Sequence, residues 1–274
     1  MAVRELINGQ AGATLSSRDR GLLYGDGLFE TVRVVGGVAP LWPHHMARLA
    51  EGCARLGLPA PDPRLLATEL QAVASGMEAA VVRITVTRGE GARGYAPPAI
   101  QQPTRIVAAF PMPPLDARAA SEGIRVRVCA LRLAEQPRLA GLKHLNRLEQ
   151  VLARAEWNDP AIAEGLLLDG AGRVICATMA NVFAVIDGAL VTPALERCGV
   201  AGVARAEVLA TQVRAQVRDL RLDELLDASE VFLTSSVRGI LPVQAVGDKV
   251  FAPGPVTRAL QQHWRDLGFP LEQA

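Results

Sequence analysis

One lysine in this chain, Lys143, has surroundings in which a lysine can do chemistry. It lies in Gly-Leu-Lys-His-Leu, between apolar residues and just before a predicted helix. A buried lysine can lose its proton and act as a nucleophile or base, whereas arginine stays charged. Two of the 29 lysines and arginines are lysines, and the other, Lys249, lies in a polar turn where a solvated charge explains it. A composition rich in Arg, Ala and Gly also explains why lysine is scarce, so a structural role for Lys143 stays open.

Three segments could bind an anion such as a phosphate. Gly199 and Gly202 precede a predicted helix, where backbone N–H groups and the helix dipole attract negative charge. The hydroxyls of Thr234-Ser235-Ser236 follow a predicted buried strand, and Arg48 lies beside the apolar face of a predicted helix. Each has a simpler explanation, since glycines form turns, hydroxyls cap turns, and a half-buried arginine can pair with Asp or Glu. A fixed amine together with three possible phosphate contacts predicts pyridoxal phosphate as the cofactor.

Alternating strands and helices must position these groups in the first half of the chain. Runs of β-branched and aromatic residues predict strands, and apolar residues three and four apart predict helices. The loop Arg88–Pro98 is too long and polar to be a plain hairpin turn. The predicted strands are Leu28–Val35, Val38–Trp42 after the Gly36-Gly37 turn, Val81–Thr87 and Thr104–Phe110, and the predicted helices are His44–Leu56 and Pro63–Ala74.

The second half predicts more strands, with helices between them. Asn146 and Glu149 have the spacing of a capping box, and Leu148, Val151 and Leu152 predict an apolar face on the helix that follows. Asp-Gly pairs at 169–170 and 187–188 predict hairpin turns. The predicted strands are Ile124–Leu133, Leu166–Asp169, Arg173–Cys176, Asn181–Ile186 and Val231–Leu233, and the predicted helices are Arg147–Trp157, Ala204–Val217 and one from Gly254 onward.

Length and composition suit a globular protein of one large domain or two smaller ones. The prolines at 111, 113 and 114 and the polar residues after them break regular structure, which predicts an N-terminal domain over 1–112, a linker over 113–121 and a C-terminal domain over 122–274. A net charge of +1 without a basic stripe argues against a nucleic-acid partner. The four cysteines have neither metal-binding nor disulfide-scaffold spacing. No segment is apolar enough for a signal peptide or a membrane span, so we expect a soluble cytoplasmic protein without a metal.

Six short motifs, spread along nearly the whole chain, resemble those of one enzyme class. They are RDRG at 18–21, YGDGLFE at 24–30, KHLN at 143–146, NVF at 181–183, TP at 192–193 and GVAR at 202–205. The class is the fold-type IV pyridoxal-phosphate enzymes, which includes D-amino-acid and branched-chain aminotransferases and aminodeoxychorismate lyase. The resemblance implies a two-domain α/β (α+β) fold, with a smaller N-terminal domain and a larger C-terminal domain that has a β-barrel-like core. It also implies a homodimer.

Two segments are similar to aminodeoxychorismate lyase in particular, LAGLKHLNRLEQVL at 139–152 and RGEGARGY at 88–95. This similarity implies conversion of 4-amino-4-deoxychorismate to pyruvate and 4-aminobenzoate, a folate precursor. Lys143 would carry the cofactor as a Schiff base and then act as the catalytic base. A D-amino-acid or branched-chain aminotransferase, and a cofactor-binding protein without catalytic activity, are the alternatives.

The resemblance also assigns residues to the site. Arg48 and the backbone of Val203 and Ala204 would hold the phosphate, with help from Ser236. The substrate is a dicarboxylate, for which Arg93 is the first candidate and Arg238 the second. The full cofactor-binding set is Arg48, Lys143, Cys176, Asn181, Gly202, Val203, Ala204, Ser235 and Ser236, and the substrate-binding set is Arg93, Tyr95, Tyr24 and Arg238.

Cys176 departs from the pattern of the class. Five residues before the asparagine of Asn-Val-Phe, the class has a glutamate that pairs with the pyridine nitrogen and keeps it protonated. Three explanations are open: an enzyme that works with a weaker electron sink, a Cys176 thiolate stabilised by the pyridinium, or an impaired enzyme. We favour the weaker sink as a hypothesis, because the lyase reaction ends in an aromatic ring and demands less of the cofactor than transamination does.

Overall fold

The computed structural model describes residues 4–270, which form two compact units. One unit comprises the residues up to Pro113 together with Leu142–Asn146, and the other comprises Pro114–Gly141 and the residues from Arg147 onward. The sequence placed Lys143 in the C-terminal domain, but its segment pairs with a strand of the first unit. Phe29 N donates to Lys143 O at 3.0 Å and Leu145 N donates to Gly27 O at 3.0 Å.

The first unit is a four-stranded antiparallel sheet in the order β1-β4-β3-β2, with helices packed on it. Leu28, Val32 and Val34 alternate along β2 and share a core with the apolar stripes of two helices. The elements are β1 (Arg4–Ile7), α1 (Arg20–Tyr24), β2 (Gly27–Val35), α2 (Trp42–Leu56), α3 (Pro63–Ala74), β3 (Ala79–Thr87) and β4 (Thr104–Pro111).

The predicted strand at Val38–Trp42 is wrong. Gly36 and Gly37 have φ of 54° and 77°, so the chain turns there, but the pairing stops at a single bridge between Val35 and Val38. Trp42 instead begins α2, because Pro43 fits the first turn of a helix, where no intrahelical N–H bond is needed. The predicted helix Pro63–Ala74 is confirmed, with Asp62 as its N-cap.

The second unit is built on a nine-stranded mixed sheet. Its strand order is β10-β9-β8-β11-β12-β5-β6-β7, with β13 paired to β12. Its elements are α4 (Ala117–Ser121), β5 (Ile124–Leu133), α5 (Leu148–Arg154), β6 (Ile162–Asp169), β7 (Val174–Ala177), β8 (Asn181–Ile186), β9 (Ala189–Pro193), α6 (Val203–Thr211), β10 (Gln216–Arg218), α7 (Leu222–Leu226), β11 (Glu230–Ser235), β12 (Gly239–Val246), β13 (Lys249–Val250) and α8 (Pro255–Asp266). Among residues 4–270, no helix has the length and apolarity that a membrane span needs.

Four predictions for the second unit need correction. The linker contains a short helix, α4, and the helix predicted over Ala204–Val217 ends at Thr211, after which β10 begins. The capping box at Asn146 does not form, since Asn146 donates to Gly25 O at 3.2 Å and Glu149 accepts from Ala134 N at 2.8 Å. The predicted apolar face of α5 is exposed: Leu148 is 75% exposed, and Val151 and Leu152 are each 60% exposed.

Candidate active site

Lys143 lies against the ring of Phe29 in the first unit. Its Nζ is 4.3 Å from the ring centroid, and its carbonyl accepts from Phe29 N, so backbone and side chain meet the same residue. The guanidinium of Arg83 lies 4.0 Å from the centroid of the same ring. An aromatic face attracts a cation, so Phe29 fixes the direction of the half-buried lysine.

Arg48 is held by a buried carboxylate, Glu30, which the sequence analysis did not single out. Arg48 Nε donates to Glu30 Oε1 at 2.8 Å, and a second guanidinium nitrogen donates to Oε2. Burial alone would raise the pKa of Glu30, but Arg48 and His45 more than offset it and bring that pKa to about 2. Glu30 is therefore ionised near neutral pH and aligns the guanidinium through a two-point contact.

His45 completes this buried network. Its Nδ1 lies 2.6 Å from Glu30 Oε2, and its ring is buried. Burial lowers the pKa of His45, the hydrogen bond and charge of Glu30 oppose that shift, and the charges of Arg48 and Lys143 reinforce it. Because an ionised Glu30 can only accept, Nδ1 of a neutral His45 must carry the proton.

Three of the four predicted substrate-binding residues lie in the first unit, in or beside the loop 88–103. Arg93 is exposed and Tyr95 is 86% exposed. Tyr24, at the end of α1, packs edge-on against Tyr95 with ring centroids 5.5 Å apart, and its hydroxyl accepts from Gly94 N at 3.3 Å. The structure thus brings Tyr24 and Tyr95 together and leaves the Arg93 side chain exposed.

In the second unit, Asn181 shapes the start of α6. Asn181 Nδ2 donates to Val200 O at 2.9 Å, and its Oδ1 accepts from Gly202 N at 3.0 Å. A Cβ on Gly202 would lie 2.1 Å from that Oδ1, so the position requires glycine. The N–H of Gly202, a member of the predicted cofactor-binding set, is thus bound to Asn181.

The start of α6 fits a phosphate. No side chain between residues 4 and 270 caps this nine-residue helix, and the first N–H groups of any helix have no intrahelical partner. Val203 and Ala204, the residues predicted to contact phosphate, are buried in the first turn. Thr234 supplies a second observation that points to a ligand here: its hydroxyl is buried with no hydrogen-bond partner among the described residues, and it pairs with Asn181 across the β8–β11 ladder. The residues of this unit therefore fit a phosphorylated cofactor.

The other predicted hydroxyls lie beside Thr234. Ser235 Oγ accepts from Arg238 N at 3.1 Å, which gives it a turn-capping role. Arg238, the second candidate for the substrate carboxylates, forms an ion pair with the buried Glu164, whose other oxygen accepts from Thr178. The charge of Arg238 is thus balanced within its own unit.

Cys176 is a buried, neutral thiol. It lies on β7 among apolar side chains, and burial, with smaller contributions from Cys198 and Glu164, raises its pKa to about 12, against a lowering by Arg147. A thiol with such a pKa is protonated near neutral pH, so the thiolate explanation requires the charge of a bound pyridinium to lower the pKa of Cys176. Glu164 does not take its place, because Cys176 lies opposite Leu167 in the ladder, whereas Glu164 alternates to the other face of β6.

The sequence and structure of the chain are similar to those of known proteins of one family. The profile of the family described as "Amino-transferase class IV" matches residues 27–246. The chain is similar to the crystal structure of 4-amino-4-deoxychorismate lyase from Pseudomonas aeruginosa, at 51% identity and a TM-score of 0.91 over 96% of this chain and 98% of that one. It is 36% identical to aminodeoxychorismate lyase of Vibrio harveyi, over 93% and 97% of the two chains. It is also 33% identical to a putative branched-chain-amino-acid aminotransferase of Methanocaldococcus jannaschii, over 93% and 91%.

These similarities confirm the predicted fold class, a mixed α/β fold-type IV structure with a curled sheet. They also confirm the predicted cofactor, since pyridoxal phosphate is the cofactor of this class. The chain belongs to the aminotransferase class IV family of pyridoxal-phosphate enzymes.

Proposed function

We propose that the protein is an aminodeoxychorismate lyase, which converts 4-amino-4-deoxychorismate to 4-aminobenzoate and pyruvate. The observation that carries the proposal is the 51% identity to the Pseudomonas aeruginosa lyase over 96% of the chain. The 36% identity to the Vibrio harveyi lyase, again over nearly the whole chain, supports the same activity. The product is a precursor of folate.

Lys143 is the residue that moves protons in this proposal. The reaction removes a proton from the ring carbon that bears the amine, and it adds one to the methylene of the enolpyruvyl group as the C–O bond breaks. Bound pyridoxal phosphate supplies an electron sink for the pair that the broken C–H bond leaves behind. Lys143 Nζ accepts the first proton and delivers the second, so the reaction needs no net proton.

Binding falls to other side chains of this chain. We assign the phosphate to Arg48, to the N–H groups of Val203 and Ala204, and to Ser236. Thr234 joins them, because its buried hydroxyl lacks a partner among the described residues. We assign a substrate carboxylate to Arg93, whose exposed guanidinium can form a two-point contact with it.

An aminotransferase is the second candidate, and Cys176 favours the lyase over it. A neutral thiol does not keep a pyridine nitrogen protonated, so the cofactor would be a weaker electron sink. Transamination must stabilise a full carbanion and reprotonate it at another atom. The lyase reaction gains an aromatic ring, so its substrate provides much of the driving force.

Two assays on the purified holoenzyme test the activity. We expect pyruvate and 4-aminobenzoate to appear in equal amounts from 4-amino-4-deoxychorismate, and we expect little amine transfer to keto acids. Lys143→Ala should abolish the release, and Lys249→Ala, which changes the other lysine of the chain, exposed on β13, should not. Full activity in Lys143→Ala, or efficient amine transfer without pyruvate release, would refute the proposal.

We also propose that the protein is a cytoplasmic homodimer. The exposed apolar face of α5 (Leu148, Val151 and Leu152) is the kind of surface that another subunit covers. The four cysteines are unpaired and buried, as expected in a reducing compartment. Light scattering after size exclusion should give twice the chain mass, and Val151→Glu should shift it towards the monomer. Val250→Glu, at an exposed valine of β13, is the matched control, and a monomeric parent protein would disprove the dimer.

A further inference from the structure

Arg20 holds the tip of the loop 88–103 by its backbone. This arginine of α1 is buried, and its guanidinium donates to the carbonyl oxygens of Gly94 and Tyr95, both at 2.9 Å. A third bond, at 3.3 Å, reaches the carbonyl of the next residue, Ala96. One planar side chain therefore fixes three successive peptide groups.

Asp26 orients Arg20 and connects it to the base of the same loop. Its Oδ2 accepts from Arg20 Nε at 2.9 Å and from Arg88 Nε at 2.8 Å. Arg88 also donates to the carbonyls of Leu56 and Gly57, at 2.9 and 3.0 Å, which anchors the start of the loop to the end of α2. Burial would raise the pKa of Asp26, but Arg88 and Arg20 more than offset it and lower that pKa. The carboxylate is thus charged and bound to both arginines near neutral pH.

The aromatic rings at the tip pack on the same guanidinium. The Arg20 guanidinium lies 4.9 Å from the centroid of the Tyr24 ring, and Tyr24 in turn contacts Tyr95 edge-on. A Cβ on Gly91 would lie 2.9 Å from Arg20 Cδ, so the loop also closes over the arginine stem. A loop of this length without regular structure is usually either functional or disordered, and here one buried side chain gives it a defined conformation.

We propose that Arg20 is a positioning residue, which sets the conformation of residues 93–96 so that Arg93 and Tyr95 can bind the substrate. The proposal rests on the proposed function, because it assigns these two exposed side chains to the 4-amino-4-deoxychorismate site. Arg20 acts through the backbone of the loop and does not contact the substrate. Lysine cannot replace it, since an ammonium group lacks the planar set of five N–H donors.

Arg20→Lys and Arg20→Gln in the holoenzyme test this role, with Arg18→Lys as the control. Arg18 forms an exposed ion pair with Glu90 in the same loop, and among the described residues it has no hydrogen bond or ion pair with residues 93–96. The KM for 4-amino-4-deoxychorismate should rise about tenfold or more in both Arg20 variants. A displaced Arg93 would lose a charged hydrogen bond to the substrate, and one such bond is worth about that factor. The kcat and the absorbance of the lysine-bound cofactor should stay close to those of the parent.

Trypsin provides a readout that does not depend on activity. It cleaves after arginine, and the exposed Arg93 lies just before the three tethered carbonyls. Cleavage after Arg93, followed by mass spectrometry, should be several-fold faster in both Arg20 variants and unchanged in Arg18→Lys. Unchanged cleavage, or faster cleavage with an unchanged KM, would overturn the positioning role. Absence of pyruvate release from the parent enzyme would instead refute the proposed function, which separates the two failures.

Discussion

Replacement of Cys176 by glutamate restores the residue that the class has at this position, and its effect on stability can be worked out from the structure. In the apoenzyme the new carboxyl group would lie in a buried, apolar environment, where its charged form is disfavoured. Protonation limits the loss of folding stability. A buried carboxyl group whose pKa rises from about 4.3 to above 7 is neutral at pH 7, and keeping it neutral costs about 1.4 kcal/mol per pH unit, or about 4 kcal/mol at pH 7. Arg147, the charge that lowers the Cys176 pKa, reduces this figure.

The sign of the pH dependence follows from the same shift. A carboxyl group whose pKa is raised by folding binds its proton more tightly in the folded state, so apo Cys176→Glu should lose stability as pH rises from about 4.3 towards 7. Pyridoxal phosphate should reverse the loss, because a protonated ring nitrogen pairs with the carboxylate. Denaturant unfolding of the apo and holo forms between pH 5 and pH 8 measures both effects. Cys176→Gln is the control, because it adds the same volume without the charge.

Activity decides between the explanations for Cys176. If the cofactor of the parent protein is a weaker electron sink, Cys176→Glu should gain transaminase side activity and keep lyase turnover. If transaminase activity does not rise and lyase turnover is abolished, the weaker-sink explanation is wrong. A Cys176→Glu apoenzyme whose stability does not depend on pH more than that of Cys176→Gln would refute the placement of this side chain in an apolar environment.

Three further substitutions test a buried ion pair, a glycine that lies close to Asn181, and a carboxylate that caps a helix. Glu30→Gln should lower the free energy of unfolding by about 3–5 kcal/mol and weaken binding of pyridoxal phosphate, because it breaks a buried charge pair. The difference in stability between the parent and Glu30→Gln should persist at pH 5 and disappear as pH drops from about 4.5 to about 2. An effect no larger than that of Glu51→Gln, at an exposed helical ion pair, would contradict this role of Glu30. Gly202→Ala should lose cofactor affinity in a spectroscopic titration, because its Cβ would lie 2.1 Å from Asn181 Oδ1, whereas Gly170→Ala, in open space, should bind normally. Glu230→Gln should lower the free energy of unfolding by about 1–3 kcal/mol, since its carboxylate accepts three hydrogen bonds at the start of α8, and an unchanged denaturation midpoint would refute that capping role.

Local patterns predicted the elements well, because their signals lie within each segment. The bounds of α3, β5 and β8 agree with the predicted ones. The capping box at Asn146 failed because its members have partners far away in sequence. Asn146 bonds to Gly25, and Glu149 bonds to the backbone of Ala134, which no local pattern encodes.

The polar network around Arg48 was missed for a related reason, although the sequence contains a signal for it. Glu30 stands between Leu28 and Val32 on the core-facing side of β2, where an acidic residue needs a buried partner. His45 and Arg48 are three residues apart on α2, so both can reach one point on the sheet. An acidic residue on an apolar strand face therefore predicts a buried ion pair, even where its partner cannot be identified from sequence.

The three arginines proposed to bind cofactor or substrate differ in how much of their charge is already balanced, and this difference agrees with the roles that we propose for Arg48 and Arg93. Arg48 and Arg238 each pair with a buried glutamate, so each is rigid and close to neutral in sum. A rigid arginine whose charge is balanced suits a ligand that stays bound, because it orients the ligand's hydrogen bonds and attracts few other anions. Arg93 is exposed, and no described residue forms an ion pair with it, so its full charge is available to a substrate that must enter and leave. The loop backbone must then set the position of the Arg93 guanidinium. For this reason we expect the contacts of Arg20 with Gly94, Tyr95 and Ala96 to matter for the proposed reaction.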